Sequence, residues 1–165
     1  MMRLYLMRHG IAIDREDPNC PPEAERYLTP KGVEKTRAAA QGLRALGLKL
    51  DTMITSPYLR AVQTAEIACE ALRFRPAKLR RTDALVPEAD PAQIFRELAR
   101  IHPREVLCIG HAPNLDLVIA HALGSERGVT ALKKAGVACL DLTSPHRGTL
   151  LWIYPPRVLR TLAAA

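Results

Sequence analysis

Residues 105–124 read EVLCIGHAPNLDLVIAHALG. Glu105 to Ile109 is short and apolar enough for a buried strand, Gly110-His111-Ala112-Pro113 is a turn, and Asn114 to Leu123 has helical spacing up to the stop at Gly124. Strand, turn and helix in that order form the repeating unit of a parallel sheet. The same unit occurs twice upstream. Arg3 to Met7 is an apolar run that ends at Arg8-His9-Gly10, and Thr29-Pro30 then opens a helix with proline at its first position, carrying Val33, Ala40, Leu43 and Leu46 before Gly47 stops it. Asp51 to Thr55 is the next strand, and Ser56-Pro57 opens a helix with the face Leu59, Ala61, Val62, Ala65, Ile67 and Ala68.

Other segments complete the pattern. Residues 11–29, rich in Asp and Pro, read as an exposed loop. A weaker strand is expected at Lys78 to Thr82, a loop at Leu85 to Asp90, and a helix from Pro91 to Ile101. Gly136 to Leu142 and Thr149 to Tyr154 have no helix between them, only the turn Thr143 to Gly148, so they are expected to pair antiparallel. The sequence leaves open whether the tail from Pro155 to Ala165 is ordered or a frayed end kept soluble by Arg157 and Arg160. The prediction is α/β: a three-layer α/β/α sandwich whose mostly parallel sheet carries an antiparallel pair near one edge, with residues 1–165 as one domain.

Composition narrows the function. With 165 residues, 48% hydrophobic and 25% charged, the chain can bury a sizeable core and is not disordered. No apolar run reaches the roughly 20 residues needed to cross a bilayer, and the stretch before Arg8 is too short for a signal peptide, so a cytoplasmic protein without membrane partners is expected. Cys20, Cys69, Cys108 and Cys139 form no C-x-x-C pair and read as reduced thiols. The formal charge of +7 suits an anionic partner, but 4% aromatic residues leave no stacking platform for nucleic acid.

In an open α/β sheet, ligands gather beyond the carboxyl ends of the strands. Three such loops supply basic groups: Arg8 and His9, then Arg60 one turn into its helix, then His111. Guanidinium forks match phosphate oxygens bidentately and stay charged at every working pH. An imidazole attacks phosphorus through an unprotonated nitrogen, which neighbouring arginines favour by lowering its pKa. Its other nitrogen then needs a carbonyl or carboxylate acceptor to set the tautomer. Peptide N–H groups around Ala112 would add neutral donors. This chemistry requires no metal, and no carboxylate cluster in the sequence suggests one.

The order strand, R-H-G, S-P-Y-L-R-A-V-Q-T-A, strand, G-H-A-P-N-L resembles the histidine phosphatase superfamily over residues 3–123. Leu28-Thr29-Pro30-Lys31-Gly32, Leu85-Val86-Pro87-Glu88 and Gly136-Val137-Ala138-Cys139 look like its compact SixA-type phosphohistidine phosphatase branch. The resemblance implies a phosphoglycerate mutase-like fold, phosphorylation of His9 during turnover, and a phosphate pocket completed by Arg8, Arg60 and His111. Its esterases and mutases use a carboxylic acid to protonate the leaving group. Glu88 is the first candidate by sequence order, with Asp90 and Asp14 behind it, against the structural reading of Glu88 as a loop carboxylate that pairs with an arginine or caps the helix at Pro91.

Departing imidazole needs a strong acid less than departing alkoxide does, which favours phosphohistidine on a partner protein as the substrate. Loop 11–29 is expected to wall the pocket. A phosphatase or mutase acting on a small phosphomonoester, and a phosphate-binding module without turnover, are the alternatives. His102, His121 and His146 read as solvated or packed, Ser56 as a helix cap, and Gln63 and Thr64 as supporting Arg60 or facing solvent.

Overall fold

The computed structural model describes residues 1–165. Along the chain lie β1 (Met2–Arg8), α1 (Pro30–Ala45), β2 (Thr52–Thr55), α2 (Leu59–Leu72), β3 (Arg80–Arg81), α3 (Ala92–Ile101), β4 (Glu105–Gly110), α4 (Asn114–Ala122), β5 (Val137–Ser144), β6 (Arg147–Tyr154) and α5 (Pro156–Ala164). One sheet runs β3-β2-β4-β1-β5-β6. β1, β2, β3 and β4 are mutually parallel, while β5 is antiparallel to both β1 and β6. The expected three-layer α/β architecture is therefore present.

Alternation along β1 sorts its side chains between two cores. Leu4 and Leu6 pack with Ile94, Phe95 and Leu98 of α3 and Leu115, Val118 and Ile119 of α4. Tyr5 and Met7 face the opposite way, onto Ala39 and Leu43 of α1, Ala61, Ala65 and Ala68 of α2, and Leu159 of α5. Leu4, Leu6 and Met7 are fully buried, which explains why β1 reads as a continuous apolar run rather than an alternating one. α1 starts as its sequence predicts: Pro30 is its first residue and the Thr29 hydroxyl accepts the Gly32 N–H at 3.0 Å.

Three segments differ from expectation. The strand expected over Lys78 to Thr82 shrinks to Arg80–Arg81, an exposed edge paired only with β2. The hairpin of β5 and β6 is longer than predicted and turns at Pro145-His146, because pairing continues through Ser144 opposite Arg147. The tail, whose order the sequence left open, is ordered. It forms α5, which lies against α1 and buries Leu159, and Gly42 allows this because a Cβ there would stand 2.0 Å from the Leu159 carbonyl oxygen. Loop 11–29 is not simply exposed either: Ala12 bridges Leu28, and Ala12, Ile13, Arg26 and Leu28 are buried.

The parallel register sets the site. Arg8 lies opposite Gly110, the His9 N–H donates to the Gly110 carbonyl at 2.9 Å, and the Ser56 N–H donates to the Ile109 carbonyl at 2.9 Å. Since β4 sits between β2 and β1, the chain segments leaving all three strands emerge side by side.

Candidate active site

His9 is 6% exposed, Arg60 1% and His111 1%, and all three line one cavity of about 270 Å³ together with Arg8, Ala112 and Glu88. Every residue placed at the site from sequence is thus gathered there. The imidazole rings of His9 and His111 lie with centroids 5.0 Å apart.

Hydrogen bonding decides the state of His9. Its Nδ1 is 2.7 Å from the Gly10 carbonyl oxygen, which can only accept, and its Nε2 is 3.2 Å from the Nε–H of Arg60, which can only donate. Only the neutral tautomer with the proton on Nδ1 satisfies both. The lone pair that could attack phosphorus is therefore on Nε2. The acceptor that the sequence could not name is the carbonyl of the next residue. Burial is the main reason the His9 pKa is lowered to about 3; the Gly10 bond opposes the shift, and Arg60, Arg8 and Lys134 reinforce it. The arginine effect expected from sequence is real but secondary to desolvation.

His111 is lowered further, to about 2, by burial first and then by His9 and Arg60. Its Nε2 is 2.8 Å from the Ser56 hydroxyl, which also accepts the Tyr58 N–H at 3.2 Å. Ser56 thus aims His111 as well as leading into α2. The edge of the Tyr58 ring meets His111 at a centroid distance of 5.2 Å. Nδ1 of His111 and Nε of Arg8 are buried without a hydrogen-bond partner in the chain, so two polar groups of the cavity's own residues remain to be satisfied.

The arginines are held by different means. Arg8 donates to the Leu132 carbonyl at 3.0 Å. Arg60 donates through one terminal nitrogen to the Glu23 carbonyl at 2.7 Å, and through the other to Glu23 Oε1 at 2.9 Å. Burial lowers the pKa of both guanidiniums, and Glu23 partly offsets this for Arg60. The buried Thr64 hydroxyl donates to the Arg60 carbonyl at 2.7 Å and accepts the Gly10 N–H at 3.0 Å, tying the turn after β1 to α2. Gln63 accepts the Leu28 N–H at 2.7 Å and anchors the far end of loop 11–29. Thr64 thus supports Arg60 as expected, whereas Gln63 neither supports Arg60 nor simply faces solvent but holds the wall.

Glu23 is the principal residue that sequence reasoning missed. Its carboxylate receives Arg15 at 2.8 and 3.0 Å, Arg26 at 3.1 Å and Arg60 at 2.9 Å, and Arg15 above all, with Arg60 and Arg26, holds its pKa down at about 2. Arg15, Arg26 and Lys134 also line the cavity. Arg26 is buried because its guanidinium donates twice to the Ile13 carbonyl, at 2.8 and 3.1 Å, which folds the loop back on itself. Loop 11–29 does wall the pocket, and it contributes charge to it. Glu23 and Arg26 pair at i,i+3 across the short 3-10 turn Glu23–Glu25, but the Asp and Pro around them make the segment read as loop, and nothing in its order points either residue toward Arg60.

The candidate acids separate cleanly. Asp90 accepts the Ala92 N–H at 3.0 Å at the start of α3 and stands 3.6 Å from Arg96, and Asp14 accepts the Glu16 N–H at 2.9 Å in a surface turn. Glu88 makes neither a cap nor an ion pair and is the one of the three that lines the cavity. Its loop is tied across the pocket by Asn114, whose side-chain amide donates to the Ala89 carbonyl at 2.9 Å. No group of three or more His, Cys, Asp or Glu side chains is arranged to hold a metal ion.

Residues 4–86 match the sequence profile of the histidine phosphatase superfamily (branch 1). The chain belongs to that superfamily. Among histidine phosphatases it is 26% identical to phosphohistidine phosphatase SixA of Escherichia coli K12 over 167 residues, covering 99% of each chain. It is 38% identical to an uncharacterized protein of Picosynechococcus sp. over 141 residues, 82% of each. The structure of a protein histidine phosphatase SixA complexed with tungstate superposes with a TM-score of 0.85 at 25% identity, covering 96% of this chain and 99% of that one. A phosphoserine phosphatase of Entamoeba histolytica and an alpha-ribazole phosphatase of Shigella flexneri, 15% and 17% identical with TM-scores of 0.73, share the fold. No helix of the chain is long and apolar enough to cross a membrane.

Proposed function

We propose that this histidine phosphatase removes phosphate from phosphohistidine on a partner protein, without a metal, through a phosphorylated His9. The observation that carries the reading is the locked tautomer of His9, whose Nε2 lone pair is held at the arginine-lined cavity. Nε2 attacks phosphorus, the phosphorus–nitrogen bond of the substrate breaks, and its electron pair leaves with the substrate ring. A proton on that ring's other nitrogen lets it depart as neutral imidazole. Water then attacks the phosphoryl group on His9, inorganic phosphate leaves as dihydrogen phosphate with both water protons, and Nε2 regains its lone pair. Arg8 and Arg60 stabilise the equatorial oxygens, and His111 adds a donor once an oxygen reaches it. Similarity to SixA over the whole chain supports phosphohistidine as the substrate class.

The second reading is a phosphatase acting on small phosphoesters. It is favoured by one observation, the unpaired Glu88 at the cavity, where it could protonate an alkoxide. Wild-type, His9→Ala and Glu88→Gln proteins assayed on a phosphohistidine protein, phosphoramidate and an aryl phosphate distinguish the cases. Under the primary reading His9→Ala loses turnover, an acid-labile, base-stable phosphoenzyme appears in the wild type, and Glu88→Gln retains phosphohistidine activity. Wild-type turnover in His9→Ala sinks it. Faster ester than phosphohistidine hydrolysis, lost on Glu88→Gln, assigns the second reading, and phosphate binding without release assigns a non-catalytic module.

A further inference from the structure

Beside the phosphate cavity lies a larger trough of about 730 Å³, and Arg8 and Lys134 line both. Lys35 of α1, Lys133 and Arg157 complete its rim. Its floor is apolar, from Ile11, Ala135 and the two prolines that begin α5. No carboxylate lines it, and none of the five cations is engaged in an ion pair.

Two features of this trough are unfavourable to the isolated chain. Like charges gather: Arg8, Lys35, Lys133, Lys134 and Arg157 line it with no carboxylate among them, and Arg8 is, after desolvation, the largest cause of the lowered pKa of Lys134, with Asp14 opposing. The positive end of the α5 dipole also opens here, and its first turn carries Arg157 and no acidic residue, the reverse of the charge that steadies a helix start. Both costs are relieved by an anion lying in the trough.

Resting on the function proposed above, we propose that the trough docks an acidic segment of the phosphorylated partner protein, placing Asp or Glu side chains that flank its phosphohistidine against Lys35, Lys133 and Arg157. The trough is more than twice the volume of the phosphate cavity and adjoins it at Arg8 and Lys134, which places it within reach of the residues that flank a phosphoryl group in the cavity. An apolar floor with a cationic rim suits a peptide, whose stems pack on prolines while its carboxylates reach the rim. No aromatic side chain lines the trough, so nucleic acid has nothing on which to stack.

The test compares wild type with a Lys35→Gln, Lys133→Gln, Arg157→Gln variant, in which the stems remain, the charge goes and the hydrogen bonds of the phosphate cavity are untouched; a thermal melt confirms folding. Substrates are free phosphohistidine, a phosphohistidine peptide with neutral flanks, and the same peptide with Glu and Asp flanks. The wild type prefers the acidic peptide through a lower KM, and the variant loses that preference by about tenfold, the combined effect of three charges, while its turnover of free phosphohistidine stays within about twofold. The wild-type preference falls as salt is raised. Equal losses on all three substrates, or no preference in the wild type, overturn the proposal, as does tighter binding of an oligonucleotide or a small bisphosphate than of the acidic peptide. Fluorescence anisotropy of the unphosphorylated acidic peptide, weaker on the variant, reads the trough by itself. If neither phosphopeptide is hydrolysed the function above fails, while that binding measurement still decides the docking.

Discussion

The Nε–H of Arg60 points at Nε2 of His9 across 3.2 Å, so the positive group that would stabilise a phosphoryl oxygen also holds the lone pair that would attack it. An arriving phosphoryl group must take over that contact. Arg60 can yield it because its two terminal nitrogens are already fixed by the carbonyl and carboxylate of Glu23, which leaves the guanidinium in place while its Nε–H changes partner. The site therefore depends on a carboxylate as much as on its cations.

Replacing Glu23 by Gln keeps the side-chain shape and removes that charge. At every ordinary assay pH Glu23 is ionised, its pKa being held at about 2 by Arg15, Arg60 and Arg26. With the charge gone, Arg60 is aimed less firmly while the cavity becomes more positive. Steady-state kinetics should show kcat falling by about tenfold and inorganic phosphate inhibiting at lower concentration than in wild type.

Stability should fall with acidification in a window set by the two buried histidines. Their folded-state pKa values, about 3 for His9 and about 2 for His111, lie below the roughly 6.5 of an unfolded histidine. Above that value neither state binds the proton and stability is complete; below it the unfolded chain takes up protons that the folded chain refuses. Each histidine then removes up to about 1.4 kcal/mol per pH unit as pH drops toward the folded values. Urea unfolding at pH 7, 6 and 5 measures the slope, and a His9→Asn, His111→Asn double variant should flatten it.

Thr64→Val is nearly isosteric but leaves the Gly10 N–H, now bonded to the Thr64 hydroxyl, with no acceptor. The expected cost is about 1–3 kcal/mol in urea unfolding. Because Gly10 also sets the tautomer of His9, phosphatase activity should fall more than the loss of folded protein explains, while Thr64→Ser retains both properties.

Gly42→Ala tests whether α5 is integral. The added Cβ would stand 2.0 Å from the Leu159 carbonyl oxygen, so the two helices must separate. A destabilisation of about 1–3 kcal/mol is expected from such overpacking. Hydrogen exchange should localise the loosening to residues 156–164, with the amides of β1 and β4 still protected.

The sequence by itself determined the elements whose signals are local: three strand, turn and helix units, the Thr29-Pro30 helix start, the closing antiparallel pair, and the basic groups carried by the turns. Near-neighbour periodicity and helix-end chemistry specify these, and the parallel topology they imply is enough to bring Arg8, His9, Arg60 and His111 together at one end of the sheet. Only the tertiary structure decided which carbonyl sets the His9 tautomer, that Glu23, Arg15 and Arg26 fold into the cavity, that Glu88 rather than Asp90 or Asp14 faces it, and that the tail is a packed helix. Those outcomes depend on single hydrogen bonds and close approaches between residues far apart in the chain, such as Gln63 with Leu28 or Gly42 with Leu159, and such contacts leave no periodic trace in the order of amino acids.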